Sequence, residues 1–191
     1  MFKELLVAEF SAYGSLSGGQ LDQLQNHYAA LTRWNERLNL TRICELGDSV
    51  RLHYCESLLL AQSLPPGAQR VVDIGSGAGF PGIPIAVFRP DCEVNLVECH
   101  QRKAVFLREA TRELSNVKVI SKRAEDVRDR FDWLVSRAVA PGDVVRLNLA
   151  ENVALLMGEG DAAKLAGRAT QVPWGKQRVL FHVKRQDSRN R

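Results

Sequence analysis

The segment from Asp73 to Phe80, in which Gly75, Gly77 and Gly79 stand at alternate positions, limits what this chain can fold into more than any other stretch. It follows a strand-like apolar run containing Val71 and Val72, and it leads into a helix-like run from Ile83 to Phe88. Glycines so placed let a backbone turn sharply and approach a ligand without a Cβ clash. Asp73 closes the strand, and its carboxylate selects among ligands. It repels a pyrophosphate and attracts an amino group or a sulfonium, so the combination favours S-adenosylmethionine over a dinucleotide.

A dinucleotide reading has its own support. Gly77, Gly79 and Gly82 spell G-x-G-x-x-G, and Glu98 lies 21 residues after Gly77, near the spacing of a ribose-binding acid. That fingerprint should begin at the end of the strand, whereas here it starts four residues past Asp73, with Pro81 and Pro84 in its helix. Proline is tolerated only in a first helical turn, so the helix is expected to begin at or just after Pro81.

Around this segment the chain alternates. Strands are predicted at Arg70 to Ile74, Glu93 to Val97, Val117 to Ser121 and Asp132 to Ser136. Helices are predicted over 82–88 and Arg102 to Leu114, with a short one near Glu125 to Arg130. This is the pattern of βαβ units and a mostly parallel sheet with helices on both faces. Residues 143–157, with Val144, Leu147, Leu149, Val153 and Leu156, read as helical, and Val179 to Val183 reads as a last strand. Before the alternation, Leu21, Leu24, Tyr28, Leu31, Trp34 and Leu38 form one apolar helical stripe after a Ser17 N-cap. A second helix carries Leu52, Cys55, Leu58 and Leu59 and stops at Pro65 and Pro66. Residues 1–66 are therefore expected to form a helical cap and 67–191 a Rossmann-like α/β core, packed as one unit.

Composition narrows the setting. The 191 residues, 45% apolar, suit one domain. They contain neither a membrane-length apolar run nor a signal-peptide pattern. Cys44, Cys55, Cys92 and Cys99 form no C-x-x-C pair, so neither disulfides nor a zinc site is expected. The expectation is a cytoplasmic monomer with no metal. The net charge of +4 is uneven: residues from Gly160 onward hold eight Lys and Arg against two Asp. Lys164, Arg168, Lys176, Arg178, Lys184 and Arg185 there can neutralise phosphates, which favours a nucleic-acid partner. A solvated terminus would carry the same charges.

Ligands of such sheets sit at the carboxyl ends of the strands. Glu98 can accept hydrogen bonds from both ribose hydroxyls, or be a surface acid. Ala124 and Glu125 can meet an adenine, although Glu125 also suits a first helical turn. Arg137, after the fourth strand, can hold the methionine carboxylate, a phosphate or a guanine edge, or serve as a structural ion-pair partner. The chain has Ser136, Arg137 and Ala138 where amino-methylating enzymes carry an Asn/Asp-Pro-Pro-aromatic run. No Pro-Cys supplies a nucleophile. His27, His53, His100 and His182 do not stand at strand ends beside an acid, and His53 is the best placed of them for a role beyond packing. A reaction needing no general base fits best. Guanine N7 carries a lone pair and no proton, so its methylation rests on alignment and water exclusion.

Four segments carry a family resemblance: Trp34, Asn35, Asn39, Leu40 and Thr41; His53, Ser57 and Leu58; the run from Asp73 to Pro84; and the run from Ser136 to Ala140. With these the chain resembles the ribosomal RNA small-subunit methyltransferase G family, also called glucose-inhibited division protein B, over residues 20–185. The resemblance implies a class I S-adenosylmethionine-dependent methyltransferase fold. It also implies N7 methylation of a guanosine in small-subunit (16S) ribosomal RNA, free or in a ribosomal particle. It places Gly75, Phe80, Ala124, Glu125 and Arg137 in the donor site, with Glu98 at the acidic ribose position. Asp73, Gly77 and Gly79 complete the donor loop, and Arg137 bridges donor and target as the catalytic candidate. Two features depart from the family: Glu56 stands where an Asp is usual, and residues 157–167 only loosely match a glycine-rich turn. A small-molecule methyltransferase on the same fold and a non-catalytic nucleotide-binding or ribosome-associated protein are the alternatives.

Overall fold

The structure, a computed structural model, describes residues 1–67 and 69–183. It opens with α1 (Phe2–Phe10) and α2 (Gly18–Leu38). Next, α3 (Leu46–Asp48) runs through a π-helical stretch at Ser49–Cys55 into α4 (Glu56–Ser63). Ser17 caps α2 as its sequence predicts. Its Oγ accepts from the Gln20 N–H at 3.2 Å, while Gln20 Oε1 accepts from the Ser17 N–H at 2.9 Å, a reciprocal capping box. Asn39 ends the helix in the left-handed region, at φ 46°, a conformation asparagine tolerates better than most residues. Pro65 forces Leu64 into an extended conformation, which stops α4. The Arg89 guanidinium ties down the turn that follows, donating to the carbonyls of Leu64, Pro65 and Gly67.

Seven strands among the described residues form one sheet: β1 (Arg70–Ile74), β2 (Glu93–Val97), β3 (Val117–Ile120), β4 (Phe131–Arg137), β5 (Ala150–Gly158), β6 (Gly167–Gln171) and β7 (Arg178–Val183). Their order is β3-β2-β1-β4-β5-β7-β6. β1 to β5 are parallel, and β7 runs antiparallel between β5 and β6. The strand order reverses between β1 and β4, and the loops after those two strands flank the crevice where ligands of such sheets bind. The connections are α5 (Gly82–Phe88), α6 (Gln101–Ala110), a 3-10 turn at Ala124–Asp126, α7 (Pro141–Arg146) and α8 (Glu159–Ala162).

The mostly parallel sheet is the one the alternating pattern predicts, but the helix predicted over 143–157 is not there. α7 stops at Arg146, and Ala150–Gly158 is instead the long strand β5. Val153 to Met157 are all buried. A strand covered on both faces is a continuous apolar run, and periodicity does not separate such a run from a buried helix. β6 escaped the sequence reading for the opposite reason: every residue in it is exposed, so it lacks an apolar alternation. α1 was also missed, although Phe2, Leu6 and Phe10 recur every four residues and are buried.

The two faces of the sheet are covered unequally. One packs against α1, α2, α4, α5 and α6 in a single cluster that runs from Phe2 through Tyr54, Phe80 and Phe106 to Leu180. The cap thus shares one core with the sheet. The opposite face, with Val72, Ile74, Val97, Leu134 and Leu155, is closed mainly by short pieces around Val127, Val144, Leu149 and Ala162. The four cysteines are unpaired, Cys55 and Cys92 buried and Cys44 and Cys99 exposed. No helix among the described residues is long and apolar enough to cross a membrane.

Candidate active site

The loop after β1 is pinned from β2. The N–H groups of Gly75 and Ser76 both donate to the Val97 carbonyl, at 3.0 and 3.1 Å. The Gly77 N–H donates to Glu98 Oε2 at 3.0 Å, while Glu98 Oε1 accepts from the His100 N–H at 2.8 Å. Gly75, Gly77 and Gly79 all take positive φ, at 70°, 53° and 90°, a region side chains avoid. Gly75 also has no room for one: a Cβ there would lie 2.6 Å from Val139 Cγ2. The loop therefore presses directly on the chain leaving β4. α5 starts at Gly82, immediately after Pro81 as expected, and Pro84 falls within its first turn.

Asp73 is fully buried at the end of β1. Its Oδ2 accepts from the Gly82 N–H at 3.1 Å, and its Oδ1 is buried without a hydrogen-bond partner. Burial pushes this carboxyl up to about 7, the Gly82 hydrogen bond opposes that rise, and the nearby Glu98 charge adds to it. An unsatisfied buried acceptor is costly, and a cationic amino group would relieve it. Glu98 already holds two backbone N–H groups, yet an ionised carboxylate has lone pairs for further donors. Glycine backbone, an orphaned acid oxygen and a second acid just past the neighbouring strand suit a ligand with a cationic amino-acid end and a ribose.

Two histidines brace this loop from the helical side, and this was not legible in the sequence. His27, buried on α2, donates from Nε2 to the Ala78 carbonyl at 3.0 Å, and its Nδ1 accepts from the Tyr54 hydroxyl at 3.0 Å. Burial pushes His27 down to about 4. His53 lies flat on Phe80, with centroids 4.4 Å apart and planes at 12°. Its Nε2 shares a 2.8 Å hydrogen bond with Thr41 Oγ1. Thr41 is clamped in turn by Asn35, whose side chain donates to its carbonyl at 3.0 Å and accepts from its N–H at 2.9 Å. Burial, then the Arg137 charge, hold His53 down at about 2. Both rings are therefore neutral. Membership of His53 and Thr41 in the quoted motifs was the only sequence signal for this bracing, and His27 gave none.

Arg137, at the end of β4, is half-buried and donates through Nη1 to the Leu52 carbonyl at 2.6 Å. Burial lowers its pKa to about 10, Glu56 opposes that, and Arg178 reinforces it. The following Ala138 takes φ 60°, a conformation uncommon for a side-chain-bearing residue. Beside Arg137 opens a hollow of about 320 Å³ between the ends of β4 and β5, which Val139, Pro141, Leu156, Asp161 and Arg178 help to line. Arg178, expected among the phosphate-binding cations, instead grips the fully buried Glu56 through Nε and Nη2, at 2.6 and 2.5 Å.

The remaining candidates are more peripheral. Ala124 is half-buried on its 3-10 turn, and Glu125 is exposed with its carboxylate 3.9 Å from Arg123. Lys164 is exposed and pairs with Asp161 at 2.9 Å. Arg168, on β6, and Lys176, before β7, are exposed. Lys184 and Arg185 lie outside the described residues.

Residues 20–184 match the GidB family model, described as rRNA small subunit methyltransferase G. The chain belongs to the GidB family. A Dehalococcoides mccartyi protein named ribosomal RNA small subunit methyltransferase G is 41% identical over 144 residues, covering 71% of this chain and 61% of that protein. One of the same name from Dichelobacter nodosus is 45% identical over 124 residues, covering 63% and 58%. This GidB chain thus spans about three fifths of the length of the curated relatives it matches. Its fold is that of class I methyltransferases. A solved SAM-dependent methyltransferase from Aquifex aeolicus superposes with a TM-score of 0.57 over 71% of this chain and 92% of that one, at 15% identity.

Proposed function

We propose that this chain transfers a methyl group from S-adenosylmethionine to N7 of a guanosine in small-subunit ribosomal RNA. The observation that carries the reading is the glycine loop closed onto Asp73 and Glu98 at the point where the strand order reverses, in a chain of the GidB family. When bound, the cofactor supplies a methyl group on a sulfonium, which a lone pair can take without help from a base. In this reading Asp73 and the backbone of Gly75, Gly77 and Gly79 take the amino-acid end, Glu98 the ribose, and Ala124 with Glu125 the adenine. Phe80 sets the loop's outer turn against His53.

Arg137 holds guanine O6 from the mouth of β4, which leaves the N7 lone pair free to face the methyl group. Positive charge grows on the base as the methyl arrives, so the surroundings must not oppose it. The neutral His27 and His53 add no opposing charge, and Glu56 partly offsets that of the Arg137 guanidinium. Lys164, Arg168 and Lys176 supply phosphate contacts around the edge strand β6, with Lys184 and Arg185 continuing the basic stretch. The substrate, naked RNA or a ribosomal particle, places the work in the cytoplasm, and the chain acts as a monomer.

The test is incubation with labelled donor and small-subunit RNA lacking the mark, then nuclease digestion and nucleoside mapping. Label recovered as 7-methylguanosine is the expected result. Label on another nucleoside, or none on RNA while the chain binds the donor, overturns the reading.

A further inference from the structure

Where α2 and α6 lie side by side, they leave a groove of about 550 Å³ bordered by Arg33, Trp34, Arg37, Arg102, Val105 and Glu109. We propose that this groove holds a single-stranded segment of the RNA substrate flanking the target base, an inference that rests on the RNA-methylating function above.

Helix α6 divides its faces clearly. Ala104, Phe106 and Leu107 are buried against the sheet side, while Arg102, Val105 and Glu109 recur on the open side. Val105 is 49% exposed, an uncommon position for a large apolar side chain in this molecule. Trp34 faces the same groove and is only half-buried, with its ring edge-on to Phe106 at 6.0 Å. The floor is therefore apolar and open.

Its rim is cationic. Arg33 is neutralised by an ion pair with Glu109, whereas Arg37 and Arg102 have no ion-pair partner among the described residues. Glu36 is the other acid on the rim. An apolar floor between two uncommitted guanidiniums matches a nucleotide strand, with base or ribose on the floor and phosphates at the arginines. An acidic peptide would use the arginines but gain little from the exposed indole and valine.

Placement joins the groove to the site. Arg102 stands in the first turn of α6, four residues beyond Glu98. β2 lies two strands from β4 in the sheet, a separation of about 10 Å. A strand whose target base sits beside Arg137 would then run toward the Arg102 end of the groove. Trp34, which takes no part in the Asn35–Thr41–His53 bracing of the loop, then has a role at the substrate.

The experiment uses Arg37→Glu, Arg102→Glu and the double variant, all at exposed positions, with folding checked by far-UV circular dichroism. Three quantities are measured: donor affinity by calorimetry, KM for small-subunit RNA in methyl transfer, and binding of a labelled single-stranded oligonucleotide across salt concentrations. Donor affinity should stay unchanged. The RNA KM should rise roughly tenfold in the double variant, and the salt dependence of oligonucleotide binding should flatten by about two ion equivalents. Unaltered KM and salt slope in a double variant that still methylates RNA would overturn the groove while leaving the function intact. If wild type binds the oligonucleotide but methylates no RNA, the function fails, and loss of binding in the double variant alone still upholds the groove. Loss of self-association in the variant, measured by sedimentation with RNA binding unchanged, would make the groove a contact between copies and overturn the proposal.

Discussion

Asp73 shows how one buried oxygen would set the conditions for the proposed donor binding. Its carboxyl sits at about 7, against roughly 4 for an unfolded aspartate. Between those values the folded chain holds a proton that the unfolded chain has released, so this group's contribution to stability is present at low pH and fades as pH rises from about 4 to about 7. A cationic ligand at Oδ1 reverses the balance by favouring the carboxylate. Donor affinity should therefore strengthen as pH rises to about 7 and level off above it. Below 7 it should weaken by up to about tenfold per pH unit, because ionisation must accompany binding. Calorimetry at pH 5.5, 6.5 and 8 in buffers of different ionisation enthalpy would show proton release at the two lower values. Asp73→Asn should bind weakly at every pH and without that slope. A wild-type affinity that is flat across this range would place the cationic end elsewhere.

At the scale of elements, α2 and the π-helical stretch serve as the wall against which the glycine loop is cast. His27→Phe keeps the ring volume but strands the Ala78 carbonyl and the Tyr54 hydroxyl, both of which His27 now satisfies. The cost should be roughly 2–4 kcal/mol, read as a lower urea midpoint with unchanged m, and donor affinity should fall with it. The deficit has a pH signature. His27 lies at about 4 when folded and about 6.5 when unfolded. Wild-type stability from its neutral ring is thus complete above 6.5 and declines as pH falls toward 4. The gap between wild type and His27→Phe should narrow across that window by about 1.4 kcal/mol per pH unit, and a constant gap would mean the ring is not held neutral. The sequence revealed the elements that local pattern specifies, namely β1 to β4, the loop and the Ser17 cap. It did not reveal the bracing, because His27 meets Ala78 across 51 positions and no local rule links such a pair. The misread β5 has the same origin, since its neighbours β4 and β7 decide that Val153 to Met157 form a strand.

The whole molecule is joined by an ion pair that the charge count alone misassigned. Glu56 of α4 and Arg178 of β7 close the helical cap onto the far side of the sheet, with Arg137 near enough for Glu56 to offset its charge. The two partners are not equivalent. Glu56 is wholly buried, whereas Arg178 is 29% exposed, so an abandoned guanidinium can turn to water but an abandoned carboxylate cannot. Arg178→Ala should therefore cost about 4 kcal/mol, within the range for breaking buried pairs, and Glu56→Gln less, about 2–3 kcal/mol, below it. At this chain length 1 kcal/mol corresponds to roughly 2–4 °C in Tm, so the two variants should be separable by calorimetric melting. Replacing both residues with methionine should recover much of the loss, since a packed apolar pair avoids the desolvation cost that an ion pair bears. Arg168→Ala and Lys176→Ala, at exposed positions, should leave Tm within about 2 °C while weakening RNA binding. If Arg178→Ala also spared Tm and weakened only RNA binding, Arg178 would belong with those surface cations and the cap would be held on by its apolar core alone.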